Sequence, residues 1–97
     1  MEVRALALAQ LGRVAEARNA FLRLIAAAPE ASASRNNFGV FELQLGNASA
    51  AARLFKDAAD LDPSNLDAYR GLKEAASLLK QKDLIEFADR GIARLSR

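Results

Sequence analysis

Asp57, Asp60 and Asp62 set three carboxylates in one short stretch, the raw material of general acid–base catalysis if two of them could share a proton. The rest of the chain gives them little help. It has no histidine and no cysteine, which removes the commonest general base, any thiolate nucleophile and the usual zinc ligands. No glycine-rich phosphate loop and no metal-ligand spacing accompanies the three aspartates. They read as solvated charges at a helix end; no catalytic or metal-binding residue is assigned, no cofactor is expected, and an enzyme is the weakest reading. Lys80, Lys82, Arg90, Arg94 and Arg97 form a basic set near the C-terminus, but Asp83, Glu86 and Asp89 interleave with them and no exposed aromatic offers a stacking platform. That pattern speaks against nucleic acid. Asn36, Asn37 and Gln44 carry a different chemistry, since amides both donate and accept and could hold the backbone of an extended peptide. Val40 and Leu43 fall among them and could take its apolar side chains. The plainer alternative is that Asn36 and Asn37 only solvate a helix.

Those side chains need elements to position them, and the punctuation of the chain supplies the boundaries. Breaks fall at Gly12, at Pro29 with polar residues after it, at Gly46-Asn47, at Asp62-Pro63-Ser64-Asn65 and across Lys80 to Asp83. Between them lie six segments of helix length. Ala48, Ala51, Ala52, Phe55, Ala58 and Ala59 recur at the spacing of one helical face. Pro63 should end that helix, because it cannot donate to the preceding turn and disfavours helical angles before it. Ser64, with Asp67 three residues on, should start the next through a capping box. Glu86 and Arg90 are spaced for an i, i+4 ion pair on the last helix.

Composition agrees with helices. Hydrophobic residues make up 52% of the 97, alanine leads them, and only six aromatics are present. The net charge of +2 favours solubility and says little about partners. No stretch approaches the roughly 18 apolar residues of a membrane helix and no leader pattern is visible, so location is left open between cytoplasm and periplasm. The bias to alanine and arginine suggests a GC-rich bacterial source. Val3, Ala5, Leu6, Ala7, Leu8, Ala9 and Leu11 surround the first segment with apolar groups, which implies either a covering partner or missing upstream sequence.

Gln10-Leu11-Gly12 returns thirty-four residues later as Gln44-Leu45-Gly46, and at the same offset Ala17 matches Ala51, Phe21 matches Phe55 and Pro29 matches Pro63. With Phe38-Gly39, Gly46, Ala51, Phe55, Ala58 and Pro63 in frame, the chain resembles the tetratricopeptide repeat family. Arg35 and Glu42 depart from it, standing where the family carries aromatics, and Lys80 stands where a glycine is expected. The resemblance implies an all-α solenoid of helical hairpins, a right-handed superhelix of six helices in one domain spanning 1–97. Its units would be a truncated repeat over 1–31, a second over 32–65 and a capping third over 66–97. Small residues at Gly39 and Ala51 would bring paired helices close, with Phe38 and Phe55 filling the space between hairpins.

The resemblance also implies a function: a scaffold or adaptor binding a peptide or partner helix in the concave groove. The groove positions that could bind are Leu6, Gln10, Asn36, Asn37, Val40, Leu43, Gln44, Arg70, Glu74 and Leu78. Some relatives grip the carboxylate tail of heat-shock chaperones with a set of Lys, Asn and Arg side chains. The matching positions here are Glu2, Leu6, Asn37, Asp67 and Gly71, of which only Asn37 fits, and the acids would repel a carboxylate. The alternative function is self-association through the apolar first helix, giving a homo-oligomer within a larger assembly.

Overall fold

A computed structural model describes the backbone of residues 2–96 and the side chains of residues 12–96. Five helices follow one another: α1 (Glu2–Ala27), α2 (Ser32–Gln44), α3 (Ala48–Leu61), α4 (Leu66–Leu79) and α5 (Lys82–Leu95). They stack in chain order, α2 between α1 and α3, and α4 between α3 and α5, with α2 also reaching α4. The all-α hairpin architecture is as expected. The count of six helices is not, because α1 runs unbroken through Gly12.

The two copies of the Gln-Leu-Gly triplet explain the difference. At the second, Gly46 takes a left-handed φ of +85°, its N–H donates to the Leu43 carbonyl (3.0 Å) and the Asn47 N–H to the Glu42 carbonyl (2.9 Å). These two bonds terminate α2 in a Schellman turn. Asn47 then reinforces the turn by donating from Nδ2 to Glu42 Oε1 at 2.9 Å. At the first, Leu8 and Arg13 stand in place of Glu42 and Asn47, so both partners of that bond are missing. A lone glycine inside a helix costs about 1 kcal/mol against alanine, which slows a helix without stopping it.

Lys80 closes α4 in the same way that Gly46 closes α2. Its φ of 57° is left-handed, and the Gln81 N–H reaches the Ala76 carbonyl at 3.0 Å. The lysine therefore accepts a conformation that glycine adopts freely. At the start of α4 the cap is Asn65, whose Oδ1 accepts the Ala68 N–H at 3.1 Å. Ser64, the expected cap, instead donates its hydroxyl to Asp62 Oδ1 at 2.6 Å. Asn65 also donates to the Ser32 hydroxyl (2.9 Å), which donates to the Ala58 carbonyl (2.7 Å). One polar chain thus joins the ends of α2, α3 and α4.

The core alternates small and large. Phe55 is 1% exposed and lies between the backbones of Gly39 on α2 and Gly71 on α4. A Cβ on Gly71 would stand 2.3 Å from its ring, so α4 can approach only because that residue has no side chain. Gly91 makes the same allowance for Tyr69 between α5 and α4, and Phe87 lies 5.7 Å from the Tyr69 ring. Phe38 stacks on Phe21 at 5.0 Å, which joins α1 to α2. On the outer side Asp89 pairs with Lys73 at 2.8 Å, and the expected Glu86–Arg90 pair is absent among the described residues.

Candidate functional site

A concavity lies between α2 and α4, the first helices of successive hairpins. It encloses about 500 Å³, within the range of roughly 300 to 1,000 Å³ usual for ligand pockets. Asn36, Val40, Leu43 and Gln44 line it from α2, Asp67, Arg70, Gly71 and Glu74 from α4, and Phe55 of α3 closes its floor. Spacings of three and four along each helix put these residues on one face. The bare Gly71 backbone leaves no wall between the cleft and the Phe55 ring.

Its walls are largely polar. Asp67, Arg70 and Glu74 stand one turn apart, yet no ion pair joins any of them among the described residues. Asn36 Oδ1 is buried and has no hydrogen-bond partner among the described residues, a state that costs of order 1 to 3 kcal/mol when left unrelieved. Val40 and Leu43 supply the apolar part, with Val40 42% exposed. The arrangement can pair with amides and charges around a small apolar seat.

Six of the ten positions named from the sequence meet in this cleft: Asn36, Val40, Leu43, Gln44, Arg70 and Glu74. Asn37 and Leu78 are exposed but do not line it, and the side chains of Leu6 and Gln10 lie outside those described. Phe55 had been read as core alone; its second role as floor depends on the missing side chain at Gly71, a signal present in the sequence.

The other chemically suggestive groups are engaged elsewhere. Asp60 pairs with Lys56 at 2.8 Å, and Asp62 accepts from the Ser64 hydroxyl and N–H, which holds its carboxyl below the usual value. Arg94 donates to the Pro63 carbonyl at 2.8 Å and the Tyr69 hydroxyl at 3.1 Å. Among the described residues no His, Cys, Asp or Glu group could hold a metal ion, and no helix is long and apolar enough to cross a membrane.

One buried ion pair escaped sequence reasoning. Glu42, 4% exposed, accepts two bonds of 2.9 Å from the Arg18 guanidinium of α1 and a third from Asn47. Two departures from the repeat signal it: Glu42 replaces an aromatic, and Arg18 stands thirty-four residues before Ala52. Hydrogen bonding from Arg18 lowers the Glu42 pKa, against burial, which raises it. A carboxyl lowered on folding contributes stability that is complete above its unfolded value of about 4.5 and lost as pH falls through the lower folded value. Urea midpoints measured across that acid range should fall more steeply for the native chain than for Glu42→Gln, and the gap between them should narrow. Parallel curves would mean the pair adds no pH-dependent stability.

The chain was compared with known proteins. Residues 3–66 match the family model described as tetratricopeptide repeat. No curated protein matches the chain.

Proposed function

The chain belongs to the tetratricopeptide repeat family, and from that premise we propose that it is a protein-interaction module whose α2–α4 cleft receives an extended peptide segment of a partner. Repeats of this family generally mediate protein–protein interaction and are typically non-catalytic. The observation that carries the finer reading is the coincidence, in one cleft, of an apolar seat with charged side chains that form no ion pair, and an Asn36 oxygen without a hydrogen-bond partner, among the described residues. A peptide side chain fits over Val40, Leu43 and Phe55. Its backbone amides meet Asn36 and Gln44, while Asp67 and Glu74 favour a cation beside the seat and Arg70 an adjoining acid.

Peptides selected from a displayed random library against the native chain test this reading. Val40→Asp places a charge on the seat at a half-exposed position that folding tolerates, and should weaken the selected peptides about tenfold or more at unchanged helicity. Peptides that bind both forms equally would place the contact elsewhere.

Self-association through α1 is a second reading with its own support. Leu22 and Leu24 are 51% and 53% exposed, and among the described residues α1 packs on α2 alone.

A further inference from the structure

We propose that two copies of this chain exchange the leading halves of α1, residues 2–11 of each lying antiparallel along the bare flank of the other's α1. The proposal rests on the self-association reading and specifies its geometry. The thirty-four-residue register identifies what the flank lacks. In α3 the position equivalent to Leu24 is Ala58, which is 0% exposed, and the position equivalent to Ala17 is Ala51, also 0%. Ala51 and Ala58 are covered from two sides, by α2, which folds back on α3 at Gly46, and by α4, whose Leu72, Ala75, Ala68 and Tyr69 share their clusters. Among the described residues, their counterparts on α1 keep only the second cover, α2, and are partly exposed, because α1 does not fold back at Gly12 to supply the first.

The segment that would cover them is in the chain and is carried away from them. Positions 2–11 correspond to 36–45 of α2, and Gly39 and Leu43, which pack toward α3, correspond to Ala5 and Ala9. An unbroken helix points its two halves in opposite directions, so residues 2–11 cannot reach their own flank. A second copy related by a two-fold axis near residue 14 brings its own segment there, and the contact is reciprocal. Each flank then receives the sequence that the repeat specifies for it. This interface uses neither wall of the α2–α4 cleft, so the two readings stand or fall separately.

Sedimentation equilibrium of the native chain and three variants tests the exchange. The native chain should be dimeric. Leu24→Glu, at an exposed position, should give a monomer of unchanged helicity. Arg13→Pro breaks α1 just after Gly12, because proline cannot donate to the preceding turn, so it favours the fold-back and should weaken the dimer, whereas Gly12→Ala stiffens α1 and should tighten it by about tenfold. A native monomer, or a dimer unaffected by Leu24→Glu, would overturn the use of this flank. A dimer abolished by Leu24→Glu but shifted by neither change at residues 12 and 13 would overturn the exchange while leaving self-association in place. Partner peptides that still bind the Leu24→Glu monomer would show the cleft reading to be unaffected.

Discussion

Phe55→Ala should lose about 3 to 5 kcal/mol of folding stability, the usual cost of emptying a fully buried aromatic site. The upper part of that range applies here, because the ring is enclosed by Gly39 and Gly71, whose backbones have no side chains with which to fill the void. Against a total of about 5 to 15 kcal/mol for a domain, the loss is a large share of what holds the array together. Thermal melting followed by circular dichroism should move down by on the order of 20 °C, at about 4 to 8 °C per kcal/mol for a chain of this size. A shift of only a few degrees would show that the hairpins collapse readily onto the space. The same variant removes the floor of the α2–α4 cleft, so peptide binding should weaken even at temperatures where the chain is folded.

Gly71→Ala tests the same contact from the other side. Alanine favours a helix over glycine by about 1 kcal/mol, so an uncrowded site would gain stability. Here the added methyl would stand 2.3 to 2.6 Å from three atoms of the Phe55 ring, and overpacking of this kind costs about 1 to 3 kcal/mol or more. The ring has little room to yield, since Gly39 already lies close to it. The clash outweighs the propensity, and a net loss of about 1 to 2 kcal/mol is expected in urea unfolding. Phe55→Leu introduced with Gly71→Ala should restore part of it, because a smaller side chain relieves the crowding. Additive losses in the double variant would show that the two residues do not oppose each other.

Much of this was legible from residue spacing. The alanine-rich face of α3 and the stop at Asp62-Pro63 each follow from one local rule, and the structure agrees with both. The faces of α2 and α4 were legible too, which is why most of the named groove residues share a cleft. What could not be read depended on competition between alternatives of similar energy. Gly12 and Gly46 carry the same triplet, and they differ in the pair that flanks it, Glu42 and Asn47 at the second against Leu8 and Arg13 at the first. Ser64 and Asn65 are both capable caps, and Asn65 gains a further bond to Ser32 that lies far away in sequence. Glu42 and Arg18 each look out of place alone. Their pairing becomes visible only when two helices are set side by side.

The polar chain from Asn65 through Ser32 to the Ala58 carbonyl lies at one edge of the stack, where Arg94 adds its bond to the Pro63 carbonyl. At the opposite edge Leu43, Leu79 and Leu84 border the junction with apolar contact. Directional bonds resist sliding, whereas greasy surfaces of this kind slip past one another at small cost. The second and third hairpins are therefore fastened like the ribs of a hand fan, riveted by directional bonds at one end and held by apolar contact alone among these leucines at the other, so any widening of the opening between α2 and α4 would have to start from the leucine edge.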